Sequence, residues 1–525
     1  MIIATAGHVD HGKTKLIEAI TGVNSDRLPE EKNRGMSIDL GFAYHDLGNG
    51  VILNFIDVPG HERFINNLLS GFSNVDLGLL VIAADDGPMP QTEEHLSILQ
   101  LLQVKNCIIV LTKIDKVNQK RLDNVCCLIK KMMHKTIFSD AEIFHISNKT
   151  SQGIDNLVSH LKIIALNYHH KEVKGNFRLS VDRRFLVKGA GIVITGTVVS
   201  GEVSVGEELI HSKSGESLKI RAIHSQSKKS KNGIQGHRCS LNITGQKITI
   251  DKISRGDWIL SKNVFFVTNR LDAVLSILKN EKKIFKHWTA IHLYLGSGNV
   301  TGRIAILGSF SINPGEKKIV QLVLDKPVHA VFDDKFVIRD ISSSRTIGGG
   351  YILDPFAKKN NNTNFRRFRS ERLKLISPNS SKIVLNNLLL HYIEGIGLKY
   401  FLMSRNLTAS EFEKIIEPLD IVTELYKKHK WLILKTNWIC LQKIILDKLL
   451  KKDQPLSGQG MELNTILKVI KLNVPNFVVQ NILNESLKSE KIKKFKNLFF
   501  HPYHFSSYIK NMSWWFDIEK KFKKY

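Results

Sequence analysis

A glycine-rich segment near the start of the chain places the strongest limit on what this chain can fold into. Residues 7–14 read Gly-His-Val-Asp-His-Gly-Lys-Thr, which fits the P-loop pattern of a glycine, four free positions and Gly-Lys-Thr. The glycines of a P-loop let successive backbone N–H groups turn inward around phosphate. Lys13 is expected to reach the β- and γ-phosphates of a nucleotide, and the Thr14 hydroxyl to bind Mg²⁺. Four further loop residues are expected in the nucleotide site: Gly7, Asp10, His11 and Gly12.

Two later segments fit the same kind of site, at spacing that suits one domain. Asp57 ends an apolar run in Asp-Val-Pro-Gly-His, so its carboxylate is expected behind the Mg²⁺. Gly60 can pivot and donate its N–H to a γ-phosphate, which converts the third phosphate into a loop conformation. Ser37, between the two motifs, is expected as a second hydroxyl on Mg²⁺. His61 is expected to orient the attacking water, with a purely structural histidine as the alternative.

The motif Thr112-Lys113-Ile114-Asp115 predicts which base is bound. The carboxylate of Asp115 can accept from both the N1 and N2 donors of guanine, which excludes adenine. Lys113 is expected to pack on the base plane, and Ser147 to offer its backbone N–H to guanine O6. Together with the P-loop, these residues predict GTP and GDP as ligands, with Mg²⁺.

The hydrophobic pattern divides the chain into regions of different fold class. Over residues 1–172, short apolar runs alternate with helical spacing, which predicts a doubly wound α/β domain. Short β-rich runs separated by turn glycines then predict two β-barrels, over 173–264 and 265–356. Beyond a polar linker, the order helix, helix, strand, basic turn, strand predicts winged-helix modules at 366–440 and 441–525, the second with a terminal helix. An ordinary helical tail is the alternative there.

The charge of the chain points to a polyanionic partner. Lys and Arg number 76 against 49 Asp and Glu, a formal net charge of +27 with a pI near 9.7. More than half of this excess falls after residue 360, so nucleic acid is the first candidate partner, and a solvated Lys-rich surface is the alternative. No apolar stretch approaches the 18 residues of a membrane span, and the five cysteines show no CxxC pairing. A cytoplasmic protein with reduced thiols and no membrane partner is expected.

The chain resembles the translation elongation GTPases, the relatives of elongation factor Tu. Gly-His-Val-Asp-His-Gly-Lys at 7–13, Asp-Val-Pro-Gly-His at 57–61 and the segment 187–197 of the first barrel carry this likeness. The segments 28–41 and 255–258 are typical of a narrower group, the bacterial selenocysteine-specific elongation factors. This resemblance is strong to about residue 355 and weak beyond it.

The resemblance implies a GTPase that carries selenocysteinyl-tRNA to the ribosome at in-frame UGA codons, acts as a monomer and reads an mRNA hairpin. It also implies that Asp10 helps to organise ions near the γ-phosphate during catalysis. Asp182, Arg183 and Arg238 correspond to the residues that hold selenocysteine in this group. A selenol is ionised at neutral pH, so two guanidiniums would favour it over serine. Without the resemblance, these three residues would be read as exposed barrel charges.

The chain also departs from the group's usual pattern. Ser37 replaces a threonine, which keeps the hydroxyl but removes a methyl that stiffens the loop. Thr112 replaces the asparagine of most GTPases. Two winged-helix modules are predicted where bacterial relatives have four, with Trp514-Trp515 in a connector after the second. Binding of the mRNA hairpin would then depend on Lys-rich wings at 427–430 and 488–496, or be relaxed or lost.

Other functions remain open at the level of sequence. One is a general tRNA-carrying GTPase, against which the basic tail and the Arg183–Arg238 pair argue. Another is a non-hydrolysing RNA-binding regulator, against which the intact phosphate and Mg²⁺ motifs argue. A partner in nucleotidyl transfer or sulfate activation is more remote, because such GTPases lack this basic tail.

Overall fold

The computed structural model of the chain describes residues 1–26, 28–34, 37–48, 51–61, 64, 67–69, 75–168, 172–226, 228–359, 363–378, 380–426, 429–450, 460–470, 472, 474–506 and 508–510. None of the helices in these residues is long and apolar enough to cross a membrane. The chain divides into two compact units. The first comprises residues 1–373 and 403–408, and the second comprises 374–402 and 409–525.

A mixed six-stranded sheet opens the first unit, in the order β2-β3-β1-β4-β5-β6. Its strands are β1 (Ile2–Ala6), β2 (Gly41–Asp46), β3 (Ile52–Asp57), β4 (Leu77–Ala83), β5 (Asn106–Thr112) and β6 (Ile143–His145). The β2–β3 pair is antiparallel and the other pairs are parallel. The helices of this domain are α1 (Lys13–Thr21), α2 (Pro29–Arg34), α3 (Pro90–Leu101), α4 (Gln119–Met133) and α5 (Ile154–Asn167).

This sheet has a hydrophobic core on each face, which explains why its central strands are almost uniformly apolar. The chain crosses from one face to the other on the two sides of β1, because β1 lies between β3 and β4. Ligands of doubly wound sheets bind at such a point, outside the carboxyl ends of the strands. The segment between β1 and α1 is the P-loop, so the topology places it where a ligand is expected.

The first barrel closes because β10 pairs with both β15 and β11 in the order β10-β15-β7-β8-β14-β11, while β12 extends β11 and β9 pairs with β13. Its strands are β7 (Arg178–Val187), β8 (Gly191–Ser200), β9 (Glu202–Ser204), β10 (Glu208–His211), β11 (Ser217–Ser225), β12 (Lys228–Ser230), β13 (Asn232–Ile234), β14 (Arg238–Thr244) and β15 (Trp258–Leu260). Alternate residues of β11 and β14 are buried, as expected when one face of each strand lines a barrel core.

The second barrel is closed in the order β16-β21-β19-β18-β22-β23, and β17 pairs with β20 beside it. Its strands are β16 (Thr268–Ile277), β17 (Phe285–Lys286), β18 (Thr289–Leu295), β19 (Gly298–Ile306), β20 (Ser311–Ile312), β21 (Lys317–Val328), β22 (Lys335–Asp340) and β23 (Thr346–Asp354). Helix α6 (Thr363–Ile376) follows. The Arg369 guanidinium on α6 lies 2.6 Å from the carboxylates of both Asp272 and Asp354, which ties the start of this helix region to the barrel.

The remaining elements follow the winged-helix order twice. The first set contains α7 (Ser381–His391), β24 (Ile396–Gly397), α8 (Leu398–Ser404), α9 (Ala409–Ile416), β25 (Ile421–Tyr426) and β26 (His429–Leu434), with β26 between β24 and β25. The second contains α10 (Lys435–Leu450), α11 (Leu463–Ile470), α12 (Asn476–Lys488), β27 (Lys493–Phe495) and β28 (Leu498–Phe500). An isolated bridge joins Met461 to Phe499, in the place of the first strand of that module.

The predicted fold class is confirmed: an α/β GTPase domain, two β-barrels and a helical C-terminal region. The domain limits stay predictions, and the one drawn at residue 440 falls inside α10. The predicted terminal helix around Trp514-Trp515 lies outside the described residues, as do Lys427 and Lys428 of the first Lys-rich wing.

The last residues of α8 and the turn after it, residues 403–408, belong to the first unit. The Asn406 side chain donates to the Ser200 hydroxyl at 2.8 Å and accepts from the Asn176 backbone N–H at 3.1 Å. The Arg405 guanidinium lies 3.7 Å from the centre of the Phe332 ring. These six residues are therefore part of the barrel unit, although they lie far along the chain.

Candidate functional site

The P-loop holds a buried cation inside a turn of backbone amides. Gly12 precedes α1 with φ 86°, a conformation that favours glycine. The Lys13 Nζ atom donates to the carbonyls of Gly7 at 3.2 Å and His8 at 2.7 Å, and the residue is only 6% exposed. Burial lowers the pKa of Lys13 to about 8, while nearby carboxylates act in the opposite direction. A buried ammonium beside inward-turning amides suits an anionic ligand.

Gly60 approaches the P-loop so closely that only glycine fits there. A Cβ atom at Gly60 would lie 2.6 Å from the Lys13 Nζ atom and 2.7 Å from the Val9 backbone nitrogen. The next residue, His61, is partly buried, and its ring centre lies 6.1 Å from that of Phe64. The structure thus puts the predicted pivot glycine against the phosphate loop, with the predicted catalytic histidine directly after it.

Hydroxyls and carboxylates converge next to this loop. Thr14 Oγ1 donates to Asp57 Oδ2 at 2.6 Å and lies 2.9 Å from Ser37 Oγ. The Ser37 hydroxyl donates to Asp26 Oδ1 at 2.8 Å, and Ser25 Oγ donates to Asp57 Oδ2 at 2.7 Å. Burial raises the pKa of Asp26, and the Ser37 hydrogen bond opposes that rise. Oxygen donors of this kind are the ligands that Mg²⁺ prefers, so the residues fit the ion.

The predicted Mg²⁺ ligands are two hydroxyls, those of Thr14 and Ser37, with one carboxylate, Asp57, behind them, and this set of donors indicates the kind of metal site. Within the described part of the chain, no group of three or more His, Cys, Asp or Glu side chains is arranged to hold a metal ion. Mg²⁺ usually keeps several waters and is bound by one or two carboxylates together with substrate phosphates. The donor set therefore suits a nucleotide-bound Mg²⁺ and not an all-protein metal site.

Most of the residues predicted at the phosphate site line one cavity of about 380 Å³. The predicted residues that line it are Asp10, Gly12, Lys13, Thr14, Ser37 and Gly60. His11 departs from this pattern, because its side chain is fully buried against the sheet with Nδ1 3.3 Å from the Val81 carbonyl oxygen. Burial also lowers the pKa of His11 to about 4. Any contribution of His11 to a phosphate must come from its backbone.

The base motif is joined to the phosphate loop by side chains. The Thr112 hydroxyl donates to the His11 carbonyl at 2.7 Å, and Asn148 Nδ2 donates to the Gly12 carbonyl at 3.4 Å. Lys113 has a left-handed backbone with φ 57°, and its ammonium lies 3.5 Å from the Asp85 carboxylate. These contacts fix the position of the base motif relative to the P-loop.

Ser147 contacts the base motif through its hydroxyl, whereas the sequence motif predicts a role for its backbone N–H. Its hydroxyl donates to Asp115 Oδ1 at 2.6 Å, and this hydrogen bond is the main reason why the pKa of Asp115 is lowered. Its backbone N–H, which the sequence assigns to guanine O6, donates to the Gln152 carbonyl at 3.1 Å instead. The hydroxyl of Ser147 thus orients the Asp115 carboxylate.

Several residues of this site carry no motif signal. Thr5 Oγ1 donates to Asp57 Oδ1 at 3.0 Å and accepts from the Val58 N–H, which orients the carboxylate. The Gly7 N–H donates to Nδ1 of His95 at 2.9 Å. Burial keeps the pKa of His95 well below its usual value, so the ring is neutral and can accept. Nothing in the linear sequence connects a histidine of α3 to a glycine 88 residues earlier.

On the first barrel, two of the three predicted pocket residues form one unit. Asp182 lies at a shift in strand register between Val181 and Arg183, a β-bulge of the kind that re-aims a side chain. Arg238 donates to Asp182 through Nε and Nη2, both at 2.9 Å, and Nη2 also donates to Thr195. Burial alone would raise the pKa of Asp182, but the Arg238 guanidinium outweighs it and the net pKa is lowered.

The third predicted pocket residue points to the α/β domain. Arg183 donates to Asp39 Oδ2 through Nε at 3.0 Å and through Nη2 at 2.7 Å, and Nη2 also donates to the Leu40 carbonyl at 2.6 Å. The Phe42 ring connects the two arginines, with guanidinium carbons 3.8 Å (Arg238) and 5.6 Å (Arg183) from its centre. Neither Asp39 nor Phe42 was expected here.

An open cavity of about 550 Å³ lies beside these residues. The charged residues that line it are Glu31, Asp39, Asp182, Arg183, Arg184 and Arg255. The Arg255 Nη1 atom donates to Asn67 Oδ1 at 2.6 Å. The cavity is therefore lined by three guanidiniums and three carboxylates, and the guanidiniums are groups that could bind an anionic part of a small ligand.

Two stretches of the chain match models of known protein families. Residues 1–166 match the family model of the elongation factor Tu GTP binding domain. Residues 272–359 match that of the β-barrel domain of selenocysteine-specific elongation factor.

Two bacterial proteins are similar to this chain over two thirds of its length or more. The chain is similar to the selenocysteine-specific elongation factor of Haemophilus influenzae, with 32% identity over 100% of this chain and 82% of that protein. It is also similar to that of Escherichia coli, with 41% identity over 67% of this chain. The match spans 55% of the Escherichia coli protein, just over half its length.

The fold of this chain is also similar to those of solved structures of elongation factors. A crystal structure of bacterial selenocysteine-specific elongation factor EF-Sec superposes with a TM-score of 0.74 at 28% identity, covering 96% of this chain and 80% of that one. The elongation factor SelB of Methanococcus maripaludis, in complex with the GTP analogue GppNHp, superposes with a TM-score of 0.58 at 27% identity. That match covers 68% of this chain and 79% of that one.

Proposed function

The chain belongs to the selenocysteine-specific elongation factors, a family of translational GTPases, and we propose that it delivers selenocysteinyl-tRNA to the ribosome at in-frame UGA codons. It binds the tRNA together with GTP, and hydrolysis of GTP to GDP and phosphate on the ribosome triggers release. It acts as a monomer in the cytoplasm. The described cysteines are all free thiols, in keeping with a reducing compartment.

Binding and hydrolysis of GTP use the residues around the P-loop. Lys13 stabilises the charge on the β- and γ-phosphates, and Asp115 selects guanine. Thr14 and Ser37 would hold Mg²⁺ with Asp57 behind them, and the ion would neutralise developing charge on the phosphates. Phosphoryl transfer depends on positioning and charge stabilisation, so few groups are needed beyond these.

The attack on the γ-phosphate depends on the segment after β3. His61 orients the attacking water, and Gly60 donates its N–H to the phosphate. The close approach of Gly60 to Lys13 and Val9 supports this assignment, because a segment in contact with the P-loop must respond to a third phosphate. Asp10 lines the same cavity and organises ions near that phosphate.

The first barrel provides the aminoacyl pocket. The selenol of selenocysteine is ionised at neutral pH, whereas the hydroxyl of serine is neutral, so a guanidinium distinguishes the two. Asp182 holds the Arg238 guanidinium through two hydrogen bonds, and Arg183 lines the cavity beside them. The observation that carries this proposal is the Asp182–Arg238 pair at a β-bulge, in the same compact unit as the phosphate loop.

Equilibrium binding tests the proposal directly. The labelled tRNA that inserts selenocysteine, charged with selenocysteine or with serine, is titrated with the protein in the presence of a non-hydrolysable GTP analogue or GDP. We expect tight binding only of the selenocysteinyl form and only with the GTP analogue. Equal binding of ordinary aminoacyl-tRNAs would support a general tRNA carrier instead.

We further propose that the C-terminal modules bind the mRNA hairpin through basic residues of the second wing. Lys494 lies 5.3 Å from the Phe499 ring and Lys496 lies 5.8 Å from the Phe495 ring, which leaves both ammonium groups on one hairpin, β27–β28. Lysines contact RNA phosphates and make binding sensitive to salt.

The hairpin proposal is tested by fluorescence anisotropy with a hairpin from beside an in-frame UGA of the same genome and a scrambled hairpin. A preference for the native hairpin that survives at the higher of two salt concentrations would support it. Equal, salt-sensitive binding of both RNAs would limit these modules to non-specific contact with phosphates.

A further inference from the structure

One guanidinium of the aminoacyl pocket is already engaged by a carboxylate from outside the barrel. Arg183 makes two hydrogen bonds to the same oxygen of Asp39, at 3.0 and 2.7 Å, and its side chain remains 28% exposed to the cavity. Asp39 lies in the loop just before β2 of the α/β domain. Arg183 is thus paired with a carboxylate of the protein itself, at the edge of the pocket that we propose for the anionic side chain of selenocysteine.

The two carboxylates of the pocket differ in what holds them. Asp182 is on the barrel itself, on the strand next to Arg183, and its partner Arg238 is on the same barrel. Asp39 comes from the other domain. Both members of the Asp182–Arg238 pair are therefore on the barrel, although Arg238 also contacts Phe42 of the α/β domain. The Asp39–Arg183 pair joins the two domains and depends on where the loop of the α/β domain lies.

The loop that carries Asp39 is anchored through its backbone. Glu31 is 3% exposed, and its Oε1 accepts the N–H groups of Ile38 and Asp39, both at 3.0 Å. Ser37, two residues before Asp39, donates to Asp26 beside the phosphate cavity. Contacts that begin at the nucleotide site thus help to position the Asp39 carboxylate, which also lies 3.5 Å from Arg255 Nη1 of the barrel.

Phe42 gives Arg183 a second contact besides Asp39. Its ring lies within cation–π distance of both Arg183 and Arg238. If the Asp39 carboxylate moves away, Arg183 retains the ring as a partner, and its guanidinium becomes available to another anion.

We propose that Asp39 is an affinity- and specificity-determining residue of the aminoacyl pocket, which competes with an ionised aminoacyl side chain for Arg183. This inference rests on the proposed function, because the competing ligand is the selenolate of selenocysteinyl-tRNA. A guanidinium that one carboxylate already neutralises attracts a second anion less strongly, and like charges held close together repel. A neutral serine makes no demand on Arg183, so Asp39 opposes only the anionic ligand. The competition weakens the bound state and favours release of the cargo.

The decisive variant is Asp39→Asn, which keeps the size of the side chain and removes its charge. Its affinity for selenocysteinyl-tRNA in the presence of a GTP analogue should increase about tenfold, because Arg183 is no longer neutralised. Its affinity for the same tRNA charged with serine should not change. Asp46→Asn is the matched control, since Asp46 is on β2 and pairs with Lys228 of the same barrel at 3.4 Å, outside the cavity.

A second set of variants, made in a protein that lacks Arg183, distinguishes competition for Arg183 from a general loosening of the loop that carries Asp39. In the variant Arg183→Met, the further change Asp39→Asn should leave selenocysteinyl-tRNA affinity unchanged, because the guanidinium that makes two hydrogen bonds to Asp39 is gone. The longer contact of Asp39 with Arg255, at 3.5 Å, remains in the Arg183→Met background, and Arg255 is also held by Asn67 at 2.6 Å. GTP-analogue affinity and the thermal unfolding midpoint, measured for every variant, confirm that the nucleotide site and the fold are retained.

The outcomes distinguish this inference from the function on which it rests. If the parent protein prefers selenocysteinyl-tRNA over seryl-tRNA but Asp39→Asn binds the selenocysteinyl form equally or more weakly, the competition is overturned and the function stands. An equal gain for both charged tRNAs, or a gain that persists with Arg183→Met, also overturns it. A parent protein without preference between the two tRNAs overturns both.

Discussion

The nucleotide site takes all of its predicted side chains from one α/β domain, whereas the candidate aminoacyl pocket lies where a barrel meets a loop of that domain. In the first site, residues from two motifs line one cavity: Lys13 and Thr14 from the P-loop, and Gly60 from the segment after β3. In the second, Asp182 and Arg238 pair as a unit, but Arg183 pairs with Asp39 of the neighbouring domain.

The difference follows from what fixes each group of side chains. A P-loop obtains its shape from the strand and helix on either side of it, so its geometry is determined within a few residues. A pocket shared by two domains also depends on the charges that the second domain places beside it. Sites of the second kind can therefore respond to movement of either domain, while the P-loop itself keeps a shape that its own strand and helix determine.

The largest expected effect belongs to the nucleotide site. Replacing His61 with Ala should reduce ribosome-stimulated GTP hydrolysis by about 10²- to 10⁴-fold, because the attacking water loses the group that orients it. Affinity for GTP should stay within about twofold, since no motif assigns His61 to the phosphates. Single-turnover hydrolysis with ribosomes and nucleotide titration measure the two effects.

If the His61→Ala variant keeps its activity, the contrast between the nucleotide site and the aminoacyl pocket no longer holds. A rate loss below about fivefold would mean that another side chain orients the water, and that a site with complete local motifs is still incompletely specified. The matched control is His45→Ala on β2, which changes a histidine of the same domain outside the nucleotide cavity.

A smaller effect, on stability, is expected from the pocket. Replacing Arg238 with Met leaves the buried Asp182 carboxylate without its two hydrogen bonds from the guanidinium. Loss of one partner of a buried ion pair costs about 3–5 kcal/mol, and the double variant with Asp182→Asn should recover part of this. Urea denaturation at pH 7 measures both variants.

The Arg238→Met variant should also reverse the way in which stability depends on pH. In the parent protein the pKa of Asp182 is lowered, so its stabilising contribution is present above the ordinary aspartate pKa of about 3.9 and is lost as pH falls through the lower folded-state value. In Arg238→Met, burial raises the pKa of Asp182, so stability relative to the parent should increase between pH 7 and pH 5. An unchanged difference between the two proteins would show that Asp182 is solvated.

The smallest effect tests whether the two domains share the pocket. Phe42→Leu removes the ring that contacts both guanidiniums, and about 1 kcal/mol of cation–π stabilisation corresponds to a fivefold loss in selenocysteinyl-tRNA affinity. GTP affinity should be unchanged. Phe55→Leu, on the adjacent strand β3 in the core of the opposite face, is the control and should not change tRNA affinity. Equal effects of the two substitutions would mean that Phe42 acts only through stability.

Much of this arrangement could be predicted from residue patterns, for reasons visible in the structure. The buried strands of the first sheet are continuous apolar runs, and the two barrels are short strands separated by glycine turns. The P-loop and the base motif are contiguous, so their residue types define their chemistry without knowledge of the rest of the chain. Asp57 and Gly60 could be placed because Asp57 is the last residue of the apolar strand β3 and Gly60 follows three residues later.

Other residues of the two sites could not be predicted, because their partners are distant along the chain. His95 accepts from Gly7, and Asp39 pairs with Arg183 across 144 residues. The register shift at Asp182 depends on how β7 pairs with β8, and pairing leaves no local signal. The backbone N–H of Ser147 is occupied by Gln152 in a turn that the short motif does not reveal.

The turn at residues 403–408 bears on how this protein could be divided into pieces. A fragment that ends after the second barrel would contain every strand of both barrels, yet it would leave Asn176, Ser200 and Phe332 without the side chains that cover them. Gly175 illustrates the fit, since a Cβ atom there would lie 2.6 Å from Asn406. The smallest complete version of the barrel unit is therefore discontinuous in sequence, and exchanging C-terminal modules between relatives would require carrying this turn along or redesigning the surface beneath it.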